Sequence, residues 1–448
     1  FWLKLTRRTK SEAVPSGPPG SMAQCSESLI ARMQALREEH LAFDVESWYP
    51  YLRDLTFHTE FIDITQTQAQ AISAFYAARY TSRRAAFLPE HAVAIRKLRS
   101  ALDDILRKGE FRDKGAFVRL SSRSPKDGSP FKPVDTAKAY QEALMHFSAS
   151  TDRNACSAAG EGKSEPDANT QMRAISRASS TTWRARSGDD ALSFILSSER
   201  VSIDIHQALM CLREPASRSL STALESPTAL TSDAPHALWS TKVSVRVWED
   251  ALHDDLEFRC FVKGNVVTAI SQYNHYCVFP DVVAARQQLQ HLVSTFCIKE
   301  VCPRLAGVTC YEDGYIVDVG VLGERCVVIE LNPYKSTTGA ALFDWRRDAD
   351  LLLADPAQAG SGGGQSRDDG TCVEVGLPPL RLRTAPVERL TDLVEMMLDE
   401  AQAEVQSKES YLDVLASLEL EMSERESERK REMSSDLGTR ARGLCVCQ

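Results

Sequence analysis

Alternating apolar and polar residues predict several strands in this chain. In KVSVRVWED, three valines fall on one face, whereas Ser244, Arg246 and Trp248 fall on the other, which is typical of a strand with one buried face. EFRCFVKGNVVTAISQ predicts a hairpin that turns at residues 263–265, because Gly and Asn tolerate the positive φ of a tight turn. A shorter strand over residues 117–120 leads into a loop rich in Ser and Pro.

Other segments have the period of a helix or no period at all. Residues 66–109 and 282–296 predict helices, and apolar residues from Leu390 onward predict a further helix whose charged continuation is solvated. Two polar stretches, residues 148–190 and 214–237, lack sustained periodicity. We expect them to be disordered inserts.

Length and charge limit the possible functions. The 448 residues suggest about two or three structural units. A net charge of -9 argues against a broad surface that follows nucleic-acid phosphates, so we expect no direct nucleic-acid partner. A discrete ligand site is the better expectation.

Cysteine usage and hydropathy indicate a compartment. The 12 cysteines form no C-x-x-C pair, and Cys260, Cys297, Cys310 and Cys326 lie in apolar runs, which predicts buried, reduced thiols. No apolar run approaches the roughly 18 residues that span a bilayer, so we expect a cytoplasmic protein without a membrane span. The terminal CVCQ loosely fits a prenylation box, and Met22 is a candidate start residue.

Oxygen-bearing side chains interrupt the predicted hairpin YIVDVGVLGERCVVIELNP. A loop over residues 323–325 would pair Leu322 with Cys326, and the same register sets Asp318 opposite Glu330 and Ile316 opposite Asn332. Two carboxylates partly withdrawn from water repel each other unless a positive charge lies between them. Asp318, Glu330 and Asn332 therefore suit Mg²⁺, although spacing alone favours a metal site no more than a structural cluster.

Cations accompany the apolar strands. Arg119, Lys126, Arg246 and Arg259 could together neutralise a polyphosphate, with Mg²⁺ bridging its oxygens. Taken singly, each could equally form a surface ion pair. No G-x(4)-GK[ST] or G-x-G-x-x-G motif supplies a phosphate cradle.

Six motifs stand out between about residues 43 and 355, namely ESWYP, FVRLSSRSPKDG, VSVRVW, EFRCFVKGNVVTAISQ, YIVDV and VIELNPY. Together they resemble the cell division cycle protein 123 family of the ATP-grasp superfamily. The resemblance implies an α+β ATP-grasp fold, in which two lobes with antiparallel sheets enclose a nucleotide cleft. It also implies an assembly chaperone for translation initiation factor 2 that binds ATP and the gamma subunit of that factor.

The resemblance implies a role for each matching position. Asp318, Glu330 and Asn332 would hold Mg²⁺ on the ATP phosphates. Arg119 stands where the family usually has a phosphate-contacting Lys, Lys126 where it has an Arg, and Glu330 where it has an Asp. The remaining positions would lie along the nucleotide, with Arg259 near the phosphates and Ser244, Val245 and Arg246 towards the adenine.

Composition, periodicity and the resemblance together divide the chain. They give a disordered or helical extension (1–40), a first lobe (41–147), a disordered insert (148–190), a second lobe (191–354) with a flexible insert (214–237), a linker (355–384), and a C-terminal helix and tail (385–448). Two alternatives to the chaperone stay open. One is an ATP-grasp ligase that joins a carboxylate to an amine, and the other is a scaffold that has lost ATP.

Overall fold

The computed structural model describes residues 34–81, 87–129, 134–154, 166–212, 241–353, 377–390 and 410–444. After helical turns over 34–41, the first part contains α1 (Val45–Leu52), β1 (Thr59–Asp63), α2 (Gln66–Tyr80), α3 (Pro89–Leu106), α4 (Gly109–Lys114), β2 (Ala116–Leu120), α5 (Val134–Asn154), α6 (Ala168–Thr181), β3 (Arg184–Ala185), α7 (Gly188–Ser197), α8 (Glu199–Cys211) and β4 (Lys242–Val247). The second part contains β5 (Glu257–Lys263), β6 (Val266–Gln272), α9 (Pro280–Ala284), α10 (Arg286–Phe296), α11 (Cys302–Leu305), β7 (Tyr315–Leu322), β8 (Arg325–Pro333), α12 (Ala349–Leu352), β9 (Leu380–Arg381) and α13 (Tyr411–Leu444).

A four-stranded antiparallel sheet forms the first half of the molecule, in the order β1-β4-β2-β3. The valines of β4 enter a core formed with α2, α3, α7, α8 and the first turns of α13. Because side chains alternate along a strand, Ser244 and Arg246 face the opposite side of the sheet. That side carries the polar residues described below.

A five-stranded sheet forms the second half, in the order β8-β7-β5-β6-β9. Strands β5 and β6 turn through Gly264 and Asn265, which both have positive φ (53° and 60°), the conformation of a two-residue hairpin loop. One face of this sheet packs against α1, α6, α9 and α10. Residues 340–352 cover part of the other face, around Phe261 and Ile316.

The structure corrects two predicted boundaries. Strand β4 was expected in the second lobe (191–354), but it pairs with β1 and β2 of the first sheet, and α7 and α8 pack in the same core. The insert expected over residues 148–190 includes α6, whose Met172 and Ile175 join the second core. Burial of these apolar residues explains why a segment without sustained periodicity is helical.

A bulge sets the register of the β7–β8 hairpin. At the turn Leu322 pairs with Arg325 and not, as expected, with Cys326. The register then shifts between Asp318 and Val319, with Ile329 as the extra residue, so that Asp318 lies opposite Glu330 as predicted.

Several expectations lie outside the described residues, including the extension up to residue 33, the insert 214–237, the linker segment 354–376 and the CVCQ terminus. Among the described cysteines, Cys260, Cys297 and Cys326 are buried as expected, but Cys310 is exposed. Helices within the described ranges are all too short or too polar to cross a bilayer.

Candidate functional site

The polar faces of the two sheets meet across a cleft. From β4, Arg246 donates hydrogen bonds to the carbonyl of Ile329 (2.5 Å) and to Oγ1 of Thr56 (2.6 Å). From β2, Arg119 forms an ion pair with Glu330 of β8. Both arginines are at least 95% buried, so these contacts are shielded from solvent and link the sheets.

The three oxygen-bearing residues of the hairpin are in contact with one another. Asn332 Nδ2 lies 3.3 Å from Oδ2 of Asp318 and 3.3 Å from Oε1 of Glu330. The paired strands β7 and β8 hold all three side chains on one face of the second sheet. The predicted convergence of these residues is therefore confirmed.

A buried arginine neutralises Asp318. The Nε and Nη2 atoms of Arg259 lie 2.8 and 2.7 Å from the two carboxylate oxygens, which is fork geometry. Burial raises the pKa of Asp318, and the charge of Arg259 opposes that shift. Burial alone would lower the pKa of Arg259, but the carboxylate of Asp318 raises it above its ordinary value.

Glu330 is in a different electrostatic environment. Burial raises its pKa, but the charges of Arg119 and Lys126 outweigh burial, so the pKa lies well below the usual range for a glutamate. Glu330 is therefore ionised at neutral pH. Arg119 is held in place by a second hydrogen bond, from its Nε to the carbonyl of Leu120 (2.9 Å).

Lys126 lies between aromatic rings. Its ammonium is 4.8 Å from the ring centre of Tyr273 and 5.8 Å from that of Trp183, and Nζ lies 3.3 Å from the Tyr273 hydroxyl. Burial would lower the pKa of Lys126, but Tyr273, Glu257 and Glu330 together raise it. The side chain therefore remains a cation at the edge of the cleft.

The cleft encloses ≈ 740 Å³ of space, a figure that includes the solvent at its open mouth. Its lining includes the charged residues Arg119, Lys126, Arg246 and Glu330 and the aromatic residues Phe117, Trp183 and Trp248. Such a lining suits a ligand that carries both an anionic group and a flat apolar group.

Glu257 is a cleft residue that sequence reasoning missed. It lines the cleft and sits at the start of β5, two residues before Arg259 and therefore on the same face. Burial raises its pKa to about 7, against the opposing charge of Lys126. Its position in EFRCF was the available signal, but neither its burial nor its neighbours could be inferred from one strand.

The structure separates the sequence-predicted residues into three groups. Arg119, Lys126, Arg246 and Glu330 line the cleft. Arg259, Asp318 and Asn332 form the buried cluster that continues from Glu330. Ser244 lies on the same sheet face and contacts the Ser121 hydroxyl (2.9 Å), whereas the side chain of Val245 lies in the core on the opposite side of the first sheet. The side chain of Val245 therefore does not face the cleft, and a nucleotide contact at this residue stays a prediction.

The side chains of the hairpin cluster are of the chemical type that binds Mg²⁺. Two carboxylates and an amide are hard oxygen donors, and Mg²⁺ commonly uses one or two carboxylates together with substrate phosphates. Among the described residues no three His, Cys, Asp or Glu side chains form a metal cluster. Asn332 directs its nitrogen at both carboxylates, and a cation between them would favour the flipped amide, whose oxygen is the ligand.

These features define an α+β protein with a charged cleft between a four-stranded antiparallel sheet and a five-stranded mixed sheet. The family model D123 matches residues 175–382. This region includes β3–β8 and all of the acidic hairpin. The match agrees with the resemblance of the sequence motifs to the cell division cycle protein 123 family.

A curated relative is the "Translation initiation factor eIF2 assembly protein" of Dictyostelium discoideum, which is 30% identical over 101 residues. The aligned segment covers 22% of this chain and 25% of that relative. Among solved structures, Cdc123 from Schizosaccharomyces pombe has 16% identity and a TM-score of 0.43, with 78% of this chain and 98% of that chain covered. A C-terminally truncated form of it has 17% identity with the same TM-score and coverage.

Proposed function

We propose that this protein binds Mg²⁺ and ATP in the cleft and acts in the assembly of translation initiation factor eIF2. The observation that carries the ligand assignment is the meeting of Arg119, Lys126 and Arg246 with the carboxylate of Glu330 in one cleft. Buried cations beside metal-binding oxygens are the surroundings that a metal-bound polyphosphate needs.

Each group has a part in this proposal. Asp318, Glu330 and Asn332 would hold the metal, and Arg119, Lys126 and Arg259 would contact or face the phosphates. A bound Mg²⁺ would neutralise part of the phosphate charge. The aromatic residues of the cleft would accept the base, because ring stacking tolerates a flat heterocycle. Two lobes joined by such a ligand form an ATP-grasp arrangement.

The proposed partner follows from the relatives. The name of the Dictyostelium protein refers to eIF2 assembly, and the family resemblance implies binding to the gamma subunit. We extend both to this chain as part of the proposal, which would place the protein in the cytoplasm. The nucleotide would organise the two sheets, and a surface of the folded protein would bind the subunit.

Titration of the protein with Mg-ATP tests the ligand assignment. We expect Glu330→Ala to weaken binding by about tenfold or more, because it removes a metal ligand and leaves Arg119 without its carboxylate. Glu330→Gln keeps the side-chain volume and is the milder variant. Thermal unfolding of both Glu330 variants would reveal any loss of the fold. Glu324→Ala is the matched control, since Glu324 lies exposed in the turn of the same hairpin. Equal affinities for wild type and both Glu330 variants would refute the proposed metal site.

Retention of purified gamma subunit on the immobilised protein tests the partner. We expect retention in the presence of Mg-ATP and weaker retention by Glu330→Gln. Absence of any retained subunit with Mg-ATP present would refute the partner assignment while leaving the titration result unaffected.

A further inference from the structure

Ser124 is a buried residue in the lining of the cleft. It lines the cleft with Lys126 and Arg119, and it is only 4% exposed. Its Oγ is buried and has no hydrogen-bond partner among the described residues. A buried hydroxyl without a partner is destabilising, so a ligand contact is a physical reason for a serine here.

The loop that carries Ser124 is fixed to the first sheet's helices. Asp127 accepts hydrogen bonds from the Ser198 hydroxyl (2.6 Å) and from the backbone N–H of Arg200 (3.1 Å), at the start of α8. The backbone N–H of Ser129 donates to the Ser197 hydroxyl (2.7 Å). These contacts hold both Ser124 and Lys126 at one wall of the cleft.

Close packing gives the loop a second constraint. A Cβ at Gly128 would lie 2.5 Å from the carbonyl oxygen of Phe194, so only glycine allows this approach of the loop to α7. The loop backbone is therefore placed by helix contacts that do not involve the cleft. A serine hydroxyl on such a backbone can turn towards a ligand by rotation about χ1, without loss of an existing hydrogen bond.

We propose that Ser124 donates a hydrogen bond to a phosphate oxygen of the nucleotide, and that Asp127 is the positioning residue of its loop. This inference rests on the proposed function, because it assigns a contact within the same cleft. The neighbouring cations Lys126 and Arg119 identify the anionic part of the ligand as the acceptor. A hydroxyl donor adds direction to the attraction that the cations supply.

The test compares Ser124→Ala with wild type in the full chain, with Mg-ATP and Mg-tripolyphosphate as separate probes. We expect about tenfold weaker binding of both probes, the effect of one lost hydrogen bond to a charged oxygen. We also expect the ligand-free variant to unfold at the same temperature as wild type or higher, because the removed hydroxyl had no partner. Ser122→Ala is the matched control, since Ser122 lies in the same loop and does not line the cleft.

The remaining outcomes would overturn either the Ser124 contact or the proposed function. Unchanged affinity of Ser124→Ala, with binding weakened in Lys126→Met, would overturn the Ser124 contact alone. Weaker binding of Mg-ATP but not of Mg-tripolyphosphate would assign the hydroxyl to the nucleoside and overturn the phosphate contact. A lower unfolding temperature without ligand would show a structural bond and overturn the inference. Failure of wild type to bind either probe would overturn the proposed function itself, and the Ser124 contact with it.

Discussion

The polar faces of the two sheets differ in charge. The first sheet presents Arg119 and Arg246. The second sheet presents the carboxylates of Glu257, Asp318 and Glu330, together with Arg259, which is paired with Asp318. Opposite charges therefore face each other across the cleft, and a ligand that carries both a cation and an anion can contact both sheets.

The arginine–carboxylate pairs also differ in how they are held. Arg259 and Asp318 are directly paired residues of neighbouring strands, so the register of the second sheet fixes their contact. Arg119 and Glu330 lie on different sheets, so the packing of the sheets fixes theirs. The first pair belongs to the folded sheet itself, whereas the second is the contact for which a ligand in the cleft would compete.

Arg259→Met has the largest expected effect. It leaves Asp318 buried without its fork of hydrogen bonds, and we expect the free energy of unfolding to fall by about 3–5 kcal/mol. For Arg119→Met we expect a smaller loss of about 1–3 kcal/mol, because Glu330 is more exposed than Asp318 (20% against 2% of the side chain) and lies near Lys126. Equilibrium denaturation in urea measures both losses.

A surface pair provides the control for this comparison. Arg304 pairs with Asp54, whose side chain is 62% exposed, and we expect Arg304→Met to change the free energy of unfolding by less than about 1 kcal/mol. Equal losses for Arg259→Met and Arg119→Met would remove the distinction between a pair within one sheet and a pair across the cleft.

Arg246→Met tests the contact between the sheets. We expect its effect on the free energy of unfolding to lie between those of Arg259→Met and Arg304→Met. The arginine donates to Ile329 and Thr56, and its guanidinium lies 5.0 Å from the ring centre of Phe57. Methionine keeps apolar contact with the ring but loses both hydrogen bonds, so we expect the free energy of unfolding to fall by about 2 kcal/mol. Urea denaturation provides the measurement.

Thr56→Val separates the two bonds of Arg246. Valine preserves shape but removes the hydroxyl that accepts from Arg246 and donates to the Val328 carbonyl. Wild-type stability for Arg246→Met, combined with a loss for Thr56→Val, would show that the Thr56 contact to β8 is the one that matters.

Local pattern was sufficient to predict the strands of the site. The alternation in β4 placed its valines in the core and Arg246 on the polar face, as observed. The hairpin prediction gave the correct pairing of Asp318 with Glu330 in spite of a wrong turn. The predicted turn has three residues where the structure has two, and the unforeseen bulge at Ile329 adds one residue to β8. The two differences cancel, so the pairing of Asp318 with Glu330 is the predicted one.

Tertiary contacts account for what the sequence did not reveal. The membership of β4 in the first sheet depends on pairing with β1 and β2, which are distant in sequence. The helix α6 is stabilised by burial against the second sheet and by Arg177 with Asp254. The burial of Ser124 and the raised pKa of Glu257 arise from residues brought together only by the fold.

The pH dependence of Mg-ATP binding has the smallest expected effect and tests the acidic side of the comparison. Burial raises the pKa of Glu257 to about 7, so this carboxyl is mostly neutral at pH 6 and mostly ionised at pH 8. An ionised Glu257 reduces the positive potential around Lys126, so we expect wild type to bind Mg-ATP a few-fold more weakly at pH 8. Glu257→Gln stays neutral at both values and should lose this change, while protonation of ATP itself affects both proteins alike. Because the folded pKa lies above the ordinary value, Glu257 also favours folding below about pH 4.5, and this contribution is lost as the pH rises through 7. The same pH dependence of binding in wild type and Glu257→Gln would show that the carboxyl does not influence the ligand.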